Sequence, residues 1–97
     1  MTALSFNIDD ELTIFTAAAQ KNSLLAFLQS GEALDINLAN VTEIDTAGLQ
    51  LLILLKREAA DAGKTLNFIM HSKAVLDILE LANLTTAFGD QVVLSHH

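Results

Sequence analysis

A chain of 97 residues has the length of one ordinary domain, and 52 % apolar content is enough to build one compact core. Its formal charge of −7, from twelve acids and five bases, argues against nucleic acid and anionic membrane surfaces, because binding to either begins with Lys and Arg. Without Cys it has no disulfide, thiol nucleophile or thiolate metal site, and with five Phe but no Trp or Tyr it has few rings to stack on a nucleotide.

Along the chain, Leu4, Phe6 and Ile8 alternate with Ser5, Asn7 and Asp9, the period of a half-buried strand. After Asp9-Asp10-Glu11, the residues Leu12, Ile14 and Phe15 predict a second strand, paired with the first as a hairpin. Thr16 is placed to cap a helix over 17–29, where Leu24, Leu25 and Leu28 share one face and Gly31 supplies a stop. Leu34-Asp35-Ile36-Asn37-Leu38 alternates as a third strand. Asp45 or Thr46 then caps a helix from about Ala47 to Ala62, ended by Gly63. Thr65 to Met70 reads as a fourth strand, with Leu66, Phe68 and Met70 on one side. Ser72 caps a last helix carrying Val75, Leu76, Leu79 and Leu81, and Val92-Val93-Leu94 reads as a short final strand.

The order β-β-α-β-α-β-α-β, with strands separated by single helices, predicts parallel neighbours and right-handed crossovers. The expected fold is a single α/β domain over 1–97, with a mixed, mostly parallel sheet and three helices packed mainly on one face. The N-terminus has no basic segment leading into a long apolar one, so no signal peptide is expected. The apolar run Leu51 to Leu55 is far short of the roughly 18 residues a membrane span needs. A cytoplasmic protein without direct membrane insertion is expected.

Catalytic patterns are missing. His71 has no acid at metal-ligand spacing, His96 and His97 are the last two residues and carry no functional expectation, and there is no Gly-x-Ser-x-Gly, P-loop or GxGxxG sequence. Neither enzymatic activity nor a cofactor nor a metal site is expected.

The segment from Val41 to Leu49 stands apart, because it enters the most apolar helix in the chain directly after a strand. In open α/β sheets, sites gather at the carboxyl ends of strands beside helix N-termini, where free N–H groups and the helix dipole favour an anion. Thr46 offers a hydroxyl there, and Gly48 removes a side chain so that another backbone can approach. The same residues also serve as ordinary capping and packing.

Glu43-Ile44-Asp45-Thr46-Ala47-Gly48-Leu49, followed by an apolar helix and Gly63, resembles the signature of STAS domains, named for sulphate transporters and anti-sigma factor antagonists. The family pattern Asp-(Ser/Thr)-(Ser/Ala/Thr)-Gly-(Leu/Val/Ala) is matched in full by Asp45 to Leu49. The resemblance implies the STAS fold and a non-enzymatic role in signalling and transcription regulation. In anti-sigma factor antagonists, a kinase-type anti-sigma factor phosphorylates the hydroxyl residue after the Asp, which makes Thr46 the phosphoacceptor. Glu43, Asp45, Thr46, Ala47 and Gly48, with Leu51 and Leu55 on the following helix, are the expected partner-binding residues. The partner implied is such a kinase, or a related signalling kinase. The alternative is the ATPase of a bacterial lipid-transport ABC system, of which this chain would be the STAS accessory subunit.

Two features depart from the antagonist pattern. Many antagonists carry a Gly-Glu-Leu-Asp-like segment before the first helix, where this chain places Phe15-Thr16-Ala17-Ala18-Ala19, and Ala47 replaces a second hydroxyl. In the helix itself, Leu49, Leu52, Ile53 and Ala60 fall on one face and are expected to meet the sheet. Leu51, Leu54 and Leu55 fall on other sides, where they form a partner patch or lie under neighbouring helices.

Overall fold

The computed structural model describes residues 3–81. Strand β1 (Leu4–Asn7) pairs in parallel with β3 (Ala33–Asn37), which pairs in parallel with β5 (Thr65–Ile69). The register puts Leu4, Leu34 and Leu66 in one row and Phe6, Ile36 and Phe68 in the next. Between these lies the polar row Ser5-Asp35-Asn67, and beyond them the row Asn7-Asn37-Ile69, polar except for Ile69. Because side chains alternate across a strand, one sheet face is largely apolar and the other largely polar, so only one face needs covering.

The expected hairpin does not form. Strand β2 (Asp10–Leu12) pairs in parallel with β4 (Val41–Ile44), a strand the alternation pattern did not disclose. The segments 4–12 and 33–44 run side by side in one direction, first as β1–β3 and then, after a bend, as β2–β4. Asp10 takes a φ of 66° at this bend, and the Asn40 side-chain amide donates to Asp9 Oδ1 at 3.0 Å, joining the two segments. One left-handed residue bends the chain, whereas a two-residue type I′ hairpin needs two. The register slips between Asp10 and Glu11, leaving Thr42 as an extra residue on β4.

Helix α1 (Ala17–Leu28) buries Leu24 and Leu28, and its Phe27 ring lies 5.3 Å from that of Phe6 on β1. Helix α2 (Thr46–Asp61) packs against α1 and against β2, β4 and β5. It closes at Gly63, whose φ of 72° lets its N–H reach the Ala60 carbonyl while the Lys64 N–H reaches that of Ala59. Helix α3 (Lys73–Leu81) starts at Ser72, whose hydroxyl accepts from the Val75 N–H, and it packs against β4. One core unites these elements, running from Ile8 and Leu12 through Leu34, Ile36, Leu52 and Phe68 to Val75 and Leu79. The final strand expected at Val92-Val93-Leu94 lies outside the described residues.

Two helix-level expectations need correction. Thr16 stands at the N-cap of α1 but makes no capping bond: its hydroxyl accepts from the Thr13 N–H and points back to the Glu11 carbonyl, each at 3.0 Å. On α2, Leu49 and Leu52 face the core as expected and Ile53 is half-buried, but Ala60 is exposed. Leu51 and Leu55 are 5 % and 0 % exposed, so both are core residues, and Leu55 offers a partner no surface. A helix covered by the sheet on one side and by α1 and α3 on others has a wide apolar arc.

Candidate functional site

Asp45 is the N-cap of α2, with extended backbone and its Oδ1 accepting from the Gly48 N–H at 3.1 Å. This satisfies one of the orphan donors of the first turn. The other oxygen, Oδ2, accepts from the Ile14 N–H at 3.0 Å, reaching 31 residues back along the chain. One carboxylate thus holds both the start of α2 and the loop after β2. Its pKa is lowered, first by the Ile14 N–H and then by that of Gly48, since both bonds favour the charged form.

The lowered pKa sets a sign for pH dependence. A carboxylate with a depressed folded-state pKa contributes stability above its ordinary value of 3.8 and loses it as pH falls through the lower folded value. Asn also caps helices but carries no charge. The Tm gap between wild type and Asp45→Asn is therefore expected to narrow as pH is lowered from 7 through that range. Thermal melts across the pH series measure it, and a constant gap would refute the assigned role of the charge.

Thr46, the first residue of α2, is exposed, as is Glu43 on β4, while Ala47 is half-buried. Ala47, Gln50, Leu51 and Leu54 on α2 face Ala17, Ala18 and Lys21 on α1 across an open groove of ≈ 380 Å³. Gly48 is buried, and its missing side chain has a definite cause: a Cβ there would stand 2.0 Å from the Leu12 carbonyl oxygen. The backbone that approaches Gly48 is this chain's own, at the end of β2.

Ile14 and Phe15, expected to lie in a strand, form the loop that Asp45 holds, and they are 68 % and 91 % exposed. The loop is a built turn. Thr16 and Ala17 donate their N–H groups to the Thr13 carbonyl, at 2.9 and 2.7 Å. The Thr13 hydroxyl accepts from the Phe15 N–H and donates to Glu11 Oε1, at 3.3 and 2.6 Å. Gln20 Nε2 adds a bond to the Glu11 carbonyl. The helix entrance and this turn form one surface at the carboxyl ends of β2 and β4. Among the described residues there is no group of three His, Cys, Asp or Glu able to hold a metal, and no helix long and apolar enough to cross a membrane.

A family model described as "Mlab, STAS domain" matches residues 3–94. The chain belongs to the STAS family. The fold is also similar to the crystal structure of a candidate anti-sigma factor antagonist from Thermotoga maritima, with a TM-score of 0.72 at 22 % identity. That match covers 84 % of this chain and 74 % of the other. No curated protein sequence matches this one.

In this STAS domain Asp10 takes the positive φ that glycine takes readily. Thr13 accepts the N–H two residues on, as an Asp side chain does in an Asx-turn. Leu12, Ile14 and Phe15 continue one apolar alternation in the sequence, but the strand ends at Leu12.

Proposed function

We propose that this STAS domain is a non-enzymatic regulatory module that binds a protein partner through the α2 entrance and is switched by phosphorylation of Thr46. The partner in this reading is a kinase-type anti-sigma factor or a related signalling kinase. The observation that carries it is an exposed Thr46 directly after a capping Asp45, beside the half-buried Ala47, in a chain of the STAS family. A phosphoryl group adds roughly −1.5 to −2 charge at neutral pH beside Asp45 and Glu43. The group's bulk would fill the space over Ala47 that the partner must occupy, and taking a doubly charged group out of water there costs more than facing cations would return. In the free domain the same group sits in water at the positive end of α2, where it is tolerated. Phosphorylation thus disfavours the complex without unfolding the protein.

Thr46→Glu is expected to weaken partner binding at least about tenfold, or about 1.4 kcal/mol, with an unchanged Tm. Thr46→Ala is expected to bind and resist switching. Affinity capture from native lysate with and without phosphatase inhibitors, followed by mass spectrometry of bait and partners, tests the reading directly. Wild-type affinity for Thr46→Glu, or an unmodified Thr46 in the presence of its kinase, would sink it.

The matching family model is described as "Mlab", which favours keeping a second reading. Here the chain is the STAS accessory subunit of a bacterial lipid-transport ABC system and contacts the ATPase through the Thr46 loop and α2. Co-purification with an ABC ATPase, a defect in Thr46→Ala and no phosphate at any stage would select it.

A further inference from the structure

We infer that Ile14 and Phe15 anchor the partner interface, and that the partner receives them in an apolar pocket rimmed by Lys or Arg side chains. The inference rests on the protein-binding reading above but on neither phosphorylation nor the partner's identity. Phe15 is 91 % and Ile14 68 % exposed, an unusual place for two large apolar side chains in sequence. They do not sit on a slack loop. The Ile14 N–H is held by Asp45, the Phe15 N–H by the Thr13 hydroxyl, and the next two N–H groups by the Thr13 carbonyl. A partner that buries them therefore has little backbone entropy left to remove. Rigid aromatic side chains that enter pockets supply most of the energy in such interfaces.

Charge says what surrounds the pocket. Asp9, Asp10, Glu11, Glu43 and Asp45 all lie on or beside the β2–β4 pair. Glu11 and Glu43 are register partners on β2 and β4, which concentrates acidic residues at this end. Of the five bases, Lys21 alone lines the groove at this end. Lys56 and Arg57 lie roughly 15 Å further along α2 at 1.5 Å per residue. Lys64 reaches the Leu28 carbonyl and Lys73 is paired with Asp77. A cationic rim would complement these acids, whereas a second copy of this chain, with its charge of −7, would set like charges against them.

The test compares capture by wild type, Phe15→Ala, Glu43→Lys and Thr46→Glu from native lysate, then uses the purified retained protein as the probe for Kd. Phe15 is exposed, so Phe15→Ala should keep the wild-type Tm, and any loss of binding is a loss of contact. The expected result is a Kd raised at least about thirtyfold by Phe15→Ala, in the range of interface hot spots. Wild-type binding should also weaken between about 50 and 300 mM salt, with the association rate slowed by Glu43→Lys. Three outcomes overturn the inference: a Kd for Phe15→Ala within about twofold of wild type, binding indifferent to salt and to Glu43→Lys, or no protein retained by wild type. A wild-type dimer that Phe15→Ala dissociates would make a second copy the occupant and overturn it as well. Failure of the switch is separate: Thr46→Glu would bind like wild type while Phe15→Ala does not.

Discussion

Replacing Gly48 by alanine is expected to destabilise the protein, although alanine is the better helix former by about 1 kcal/mol. The added Cβ would lie 2.0 Å from the Leu12 carbonyl oxygen and 2.9 Å from both the Leu12 carbonyl carbon and Ile44 Cγ1. Two of these atoms are backbone at the end of β2, where that strand pairs with β4, so α2 must move away from the pair. Overpacking of this kind typically costs about 1–3 kcal/mol, enough to outweigh the propensity gain. For a domain of this size that lowers Tm by about 4–8 °C per kcal/mol. Gly48→Leu should prevent folding, since a larger side chain meets the same backbone. A urea titration of Gly48→Ala decides the sign, and stability equal to wild type would place the close approach in error. Because α2 carries Asp45 and Thr46 at its start, the variant should also lose partner binding in proportion to its unfolded fraction.

Leu55→Ala is the second large effect, expected to cost about 2–5 kcal/mol as a cavity-forming change in a closed core. Leu55 is 0 % exposed and lies in the same cluster as Leu52, Phe68 and Val75. The alternative was that Leu55 belongs to a surface patch that meets a partner. The two roles give opposite results in one pair of measurements. As a core residue, Leu55→Ala lowers the urea midpoint steeply and keeps its affinity wherever the protein remains folded. As an interface residue it would leave the midpoint alone and raise Kd. An unchanged midpoint with lost binding would return Leu55 to the surface.

The parts of the structure visible in the sequence are those made by neighbours. Alternation in Leu4–Ile8, Leu34–Leu38 and Leu66–Phe68 marks three strands because one sheet face is largely apolar and the other largely polar. Met70, however, expected beside Leu66 and Phe68, lies past the end of β5 at a φ of 57° and is exposed. Asp45 and Ser72 are legible as caps because capping is settled within three residues, by the bonds to Gly48 and Val75. Gly63 is legible as a stop because its positive φ is a local property. Thr16 shows the limit. It has the right residue type in the right place, yet its hydroxyl goes to Glu11 and Thr13, because a competing turn offers it partners first.

The remainder was decided by contacts between distant segments. Four residues at β4 with the burial order of a short, half-covered strand carry no clear period, so only its partner β2 identifies it. Ile14 and Phe15 extend an apolar run that looks like strand, and only the bond from Ile14 to Asp45 shows that the chain turns there. The sequence by itself determined the family motif, the entrance of α2 and the exposed hydroxyl type at Thr46, all short-range matters of residue identity and capping. The tertiary structure alone decided that Gly48 serves the chain's own backbone, that Leu51 and Leu55 are core, and that Phe15 is displayed on the turn that Asp45 holds through Ile14. Each of these depends on which surfaces meet after residues some 30 positions apart are brought together, and local periodicity holds no record of that.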